Sequence, residues 1–209
     1  MTRLSPASLI LAALTLAVAG CSSTPPTHFY SLASIAPDAP ESPRPAGQGL
    51  AVAVGTVTLP AYLDRPQVVT RPGVYAVHLA EFDRWSEPLQ DMVPRVIAEN
   101  LSVLLGSDQV YLSPRRRLPG LTHQIDIAID RFDLDDQDRV VLAARWDLVE
   151  RSRDEVASSR RITITEPAAD RSYETIAAAM SKALALLSRD IADGLQAAAA
   201  TRAKPARGS

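Results

Sequence analysis

The apolar positions change spacing along the chain, and the changes mark out its elements. His28-Phe29-Tyr30-Ser31-Leu32 is a short β-rich run that predicts a strand at the edge of a sheet. In residues 33–49, Pro37, Pro40, Pro43 and Pro45 exclude helix and central strand, so a proline-rich loop is expected there. Residues 50–59 are apolar in both alternating phases, which predicts a strand covered on both faces at the centre of the sheet. The chain then turns through residues 60–66. Residues 67–71 and 74–79 read as a hairpin closed by Pro72-Gly73.

Helical spacing follows. Leu89, Met92, Val93, Val96, Ile97, Leu101, Leu104 and Leu105 predict a helix capped near Ser86 and stopped by Gly106, with Pro94 expected to kink it or move its start toward Asp91. A short strand is expected at 109–112, and Arg115, Arg116 and Arg117 lie in a loop. Ile125, Ile127 and Ile129 then alternate with polar residues. The phase slips before Phe132 and Leu134, which predicts a bulge near Asp130-Arg131. Val140, Leu142, Ala144, Trp146 and Leu148 mark the inward face of the next strand, and Ile162 and Ile164 a third, giving an antiparallel meander. A long alanine-rich helix over residues 172–200 carries Ile176, Met180, Ala183, Leu184, Leu187 and Ile191 on one stripe, ahead of a disordered tail at 201–209. The expected fold is α/β: a single compact domain over residues 28–200, with a mixed, mostly antiparallel sheet and two main helices.

The first twenty residues break this pattern. Arg3 precedes an apolar run at 9–18, which fits a signal peptide and is too short to span a bilayer core of roughly 30 Å. Val18-Ala19-Gly20-Cys21 has the form of a lipobox, at which the chain is cut and Cys21 acylated. An ordinary signal peptide beside an incidental thiol is the competing reading. Each buried methylene contributes about 0.8 kcal/mol, so one acyl chain of ordinary length contributes on the order of 10 kcal/mol. Residues 21–27 would then be an acylated tether, in which residues 22–27 reach only about 20 Å at full extension and hold the domain close to the membrane. Ser22, by resemblance to sorted lipoproteins, points to the outer membrane facing the periplasm.

Composition narrows the function. Cys21 is the only cysteine in 209 residues, so disulfides, cysteine zinc sites and CxxC chemistry are excluded. Loss of Arg3 moves the formal charge from −2 to about −3, which gives no electrostatic lure for nucleic acid. No nucleophile elbow, phosphate loop, dinucleotide fingerprint or HExxH motif occurs. His28, His78 and His123 lack ligand spacing, and the aspartates at 126, 130, 133, 135, 136 and 138 lack the order of a calcium loop, so a solvated turn is expected and no metal or cofactor. The expectation is a protein that is not an enzyme.

A resemblance adds the rest. The lipobox cysteine, Phe29-Tyr30-Ser31-Leu32, the block from Val52 to Arg71, Trp85-Ser86-Glu87-Pro88-Leu89 and Glu99-Asn100-Leu101 together resemble the PqiC family of ABC-type transport auxiliary lipoproteins. The resemblance covers nearly the whole mature chain and is most specific over residues 59–71. It implies an outer-membrane lipoprotein that meets an inner-membrane-anchored MCE-domain (PqiB-like) protein and supports lipid trafficking and membrane integrity. The matching motifs make Tyr62, Asp64, Arg65 and Trp85 candidate partner contacts, with aromatic packing and a local Asp64–Arg65 ion pair as competing roles. A homo-oligomer is a further expectation, because a conduit end is met by a symmetric partner. The alternative function is a structural or assembly-factor lipoprotein with no direct role in lipid transfer.

Overall fold

The computed structural model describes residues 25–35, 50–112 and 120–203. Cys21, the expected signal segment, the proline-rich loop expected at 36–49, the arginines at 115–117 and the last six residues lie outside the described set. The strands are β1 (His28–Tyr30), β2 (Val52–Thr58), β3 (Gln67–Gly73), β4 (Ala76–Trp85), β5 (Val110–Leu112), β6 (His123–Leu134), β7 (Arg139–Glu150) and β8 (Glu155–Pro167); the helices are α1 (Leu89–Leu105) and α2 (Tyr173–Ala203). The fold is the expected mixed α/β sheet with two helices. Strand order is β1-β4-β3-β6-β2-β5, and β7 pairs with β6 and then β8.

The centre of the sheet is β6, not β2. Antiparallel β7 pairs along the length of β6, whose other edge is shared by parallel β2 at residues 123–128 and by β3 at Leu134. Residues 52–54 of β2 are fully buried but Thr56 and Thr58 are exposed, so its two-phase apolar pattern reported burial correctly over the first half of the strand and position incorrectly. The slip in apolar phase along β6 is the bulge at Asp130: Ile129 pairs with Ala144 and Arg131 with Ala143. That extra residue turns Phe132 and Leu134 inward, and both are buried.

The β3–β4 hairpin also departs from expectation. Its turn is Val74-Tyr75, closed by the Gly73–Ala76 pair, and β3 runs on through Pro72. The register shifts between Thr70 and Gly73, the kind of irregularity in which a strand tolerates proline. β4 continues to Trp85, where β1 pairs with it in parallel. The α1 N-cap is Pro88 and not Ser86; Pro94 lies inside the helix, and Gly106 stops it at φ 58° in the left-handed region that costs glycine nothing. α2 runs to Ala203, past the expected end.

The helices pack against each other and on the sheet, α1 on β2 and β5, α2 on β7 and β8. All six residues of the α2 stripe are buried, as are the five inward residues of β7. Residues 31–35 lie across the helix seam. The Leu32 N–H donates to Met92 Sδ at 3.0 Å, Ala33 to Ser181 Oγ at 3.0 Å and Ile35 to Asn100 Oδ1 at 2.7 Å. Buried Asn100 in turn donates to Ser188 Oγ at 3.2 Å, so one side chain joins the strap and both helices.

Gly194 allows α2 to approach β7 closely. A Cβ there would lie 2.4 Å from Cη2 of Trp146. Gly194→Ala would raise intrinsic helix propensity, yet it is expected to destabilise the domain by about 1 to 3 kcal/mol, because the ring is held and must move. Urea denaturation followed by far-UV circular dichroism checks this.

Candidate functional site

The block most specific to the resemblance, residues 59–71, folds as a 3-10 turn at Ala61–Leu63 followed by β3. Leu63 is buried and pins the turn, and behind it lies Asp133, which is fully buried near the end of β6. Tyr62 donates its hydroxyl to Asp133 Oδ2 at 2.7 Å, and Arg71 Nε reaches the same oxygen at 3.3 Å. Arg131 grips Oδ1 with Nε and Nη2, each at 2.9 Å. The Arg71 guanidinium also lies 5.2 Å from the centroid of the Tyr62 ring, and the Phe132 N–H points at the Tyr62 hydroxyl at 3.4 Å. One buried carboxylate thus joins the turn, β3 and β6.

The protonation states agree with this geometry. Burial, reinforced by Asp133, pushes the Tyr62 phenol up, so it stays a donor. Burial works to lower the Arg71 pKa, but its bonds to Tyr62 and Asp133 outweigh that and hold it above its ordinary value. Asp135, at the β6–β7 turn, is held below the usual carboxylate range. Burial opposes this, but bonds from Arg139 and from the backbone N–H groups of Arg139 and Gln137 prevail. Asp138 completes that turn with φ 57°, a conformation aspartate tolerates. Asp133 and Asp135 are therefore buried structural anchors, which corrects the solvated-turn expectation for these two aspartates. Asp136 and Asp138 are exposed.

The candidate contact residues fall in different places. Tyr62 is half-buried and engaged with Asp133. Asp64 is exposed; Arg65 is half-buried, and no ion pair joins the two, leaving Arg65 Nε buried without a hydrogen-bond partner. Trp85, paired with Tyr30 of β1, is only 4% exposed and belongs to the core, so its size serves packing and it offers no surface to a partner. Cys21 lies outside the described residues. Sequence reasoning missed Arg71 and Arg131 as partners of Asp133. The only available signal was a basic residue two positions from an aspartate in an otherwise apolar strand.

At the sheet edge, Asp83 accepts a bond from the Tyr30 hydroxyl at 2.9 Å and faces His28 Nδ1 at 3.3 Å. Burial and the Asp83 contact push the Tyr30 pKa up to about 12. Among the described residues, no group of three or more His, Cys, Asp or Glu is arranged to hold a metal ion, and no helix is long and apolar enough to cross a membrane.

Comparison with solved structures finds the same fold elsewhere. An uncharacterized protein superposes with a TM-score of 0.67 at 16% identity, over 82% of this chain and 99% of the other. Protein XCC0632 from Xanthomonas campestris, assigned to family DUF330, gives 0.67 at 18% identity over 84% and 98%. A PelC dodecamer from Paraburkholderia phytofirmans is more distant, at 0.39 and 14% identity over 68% and 91%. No curated protein matches the chain. The family model for the ABC-type transport auxiliary lipoprotein component matches residues 30–192, from β1 to the last third of α2. The chain belongs to the ABC-type transport auxiliary lipoprotein family.

Proposed function

We propose that this protein is a non-enzymatic subunit of an MCE-type envelope lipid transport system, anchored in the outer membrane through acylated Cys21 and facing the periplasm. One observation carries the reading: only residues 22–27 separate the lipobox cysteine from β1 in a chain of the transport auxiliary lipoprotein family. Such a tether keeps the domain at the bilayer, so a conduit crossing the periplasm has to come to it. The 3-10 turn supplies a surface for that meeting, since Asp64 and Arg65 are presented on a loop fixed from below by Asp133. A loop held in place before contact loses little conformational freedom on docking. Several copies around a conduit end would satisfy its symmetry.

Cys21→Ala is expected to abolish incorporation of labelled palmitate and to move the protein from the membrane pellet to the soluble fraction. Crosslinked envelopes of the parent strain are expected to yield an inner-membrane MCE-domain protein with this subunit. Unchanged fractionation of Cys21→Ala would overturn the anchor, and repeated absence of the MCE protein would favour a purely structural role.

A further inference from the structure

Among the described residues, half of the exposed large apolar side chains gather on the β3–β4 hairpin. Tyr75 is fully exposed, Val74 is 78% exposed, and Val77 and Leu79 continue from Tyr75 along one face of β4. The turn projects beyond the sheet. The last β3 pairing with β6 is Thr70 to Leu134, the final β6 residue, and β3 runs three residues further before Val74. The neighbouring β6–β7 connection turns back directly after Leu134, so its exposed Asp136 and Asp138 stay nearer the sheet.

The direction of β1 ties this hairpin to the amino terminus. β1 is parallel to β4, and β4 runs away from the turn, so the chain entering His28 arrives from the hairpin side. His28 is opposite Asp83, eight residues of strand from Tyr75, or about 26 Å. Cys21 is seven residues before His28, a reach of about 25 Å at most. A tether drawn taut along its entry direction therefore brings Cys21 level with the turn and no further, and any slack brings the bilayer closer.

We propose that the β3–β4 hairpin is a second membrane contact, with Val74, Tyr75, Val77 and Leu79 seated among the headgroups and upper acyl chains of the leaflet that holds Cys21. This inference rests on the acylation of Cys21. A tyrosine at the tip suits the interface, where an apolar ring and a polar hydroxyl are both satisfied. Arg71, bonded to the Val74 carbonyl at 3.5 Å and to buried Asp133, ties the base of the projection to β6. The contact fixes the tilt of the domain, which an anchor at a single point cannot do.

Trp85 and Trp146 are both buried, so Tyr75→Trp adds the one indole placed to report on lipid. The mature acylated protein is reconstituted in vesicles of phosphatidylethanolamine and phosphatidylglycerol at 3:1, with doxyl groups at shallow acyl positions. Emission of Tyr75→Trp is expected to be quenched at least threefold more than that of the parent. Quenching equal to the parent overturns the proposal, as does shielding of the new indole that develops in detergent with rising protein concentration, which would assign the hairpin to a second copy. In a second measurement without acyl chains, adding Tyr75→Asp and Val77→Asp to Cys21→Ser is expected to lower partitioning onto the same vesicles at least tenfold; an unchanged partition overturns the proposal. Palmitate labelling reports separately on the anchor, so its failure is distinguishable from failure of the hairpin contact.

Discussion

Trp146→Ala is expected to lower the unfolding free energy by about 3 to 5 kcal/mol, the usual range for removing a large aromatic from a core that cannot collapse. Trp146 is fully buried in the middle of β7 and fills the space beneath α2 opposite Gly194. Its indole N–H donates to Asp190 Oδ2 at 2.8 Å, and Arg160, ion-paired with the same aspartate, lies 5.8 Å from the ring centroid. The site cannot collapse readily, because α2 is held along its length by the apolar stripe and by Ser188 through Asn100. Urea denaturation of the unacylated chain, followed by far-UV circular dichroism so that loss of the indole does not alter the signal, gives the value. A cost below about 1 kcal/mol would mean that α2 is not seated on β7 as described.

Asp133→Asn keeps the volume of the side chain and removes its charge, and is expected to cost about 3 kcal/mol. That is the lower end of the range for breaking a buried ion pair, because the side chains of Arg71 and Arg131 are 22% and 31% exposed and recover some hydration. The amide cannot accept at both positions, so one donor among Tyr62, Arg71 and Arg131 faces an N–H. Tyr62→Phe, which removes one donor and leaves the charge paired, is expected to cost only about 1 kcal/mol. The same denaturation series measures both. Hydrogen exchange should also show faster opening of residues 61–73 in Asp133→Asn, since that carboxylate is what fastens them to β6. Equal costs for the two variants would refute a central role for Asp133.

The parts of the fold legible in the sequence were those where local pattern and tertiary burial agree. The β6–β7–β8 meander alternated cleanly because one face is packed by helices, and the phase slip at Asp130 was visible because the bulge reverses inside and outside. The helical stripes and the Gly106 stop were legible for the same reason. Sequence failed where tertiary pairing overrode local chemistry. Pro72-Gly73 is the better turn signal, yet the chain turns at Val74-Tyr75, two residues that favour strands. β6 has a hub position that no local pattern of its own discloses, because it depends on β2 and β3 dividing one edge. The buried carboxylate was misread for a related reason: Asp133 shares its stretch of sequence with exposed Asp130, Asp136 and Asp138, and only the fold brings Tyr62 and Arg71 to it across about seventy and sixty residues. Local rules are broken at the hairpin turn and around Asp133.

The parallel pairing of β1 with β4 has a mechanical consequence. If a bound partner pulled the domain away from a lipid-anchored amino terminus, tension would enter through that terminus and run lengthwise along β1. Its short ladder to residues 83–85 is then loaded in shear, with all rungs strained at once, and not peeled open one at a time. Tyr30, bonded to Asp83, and the strap at residues 31–35, bonded to α1 and α2, share that load with the core. A three-residue strand can thus serve as the moorings of the whole domain.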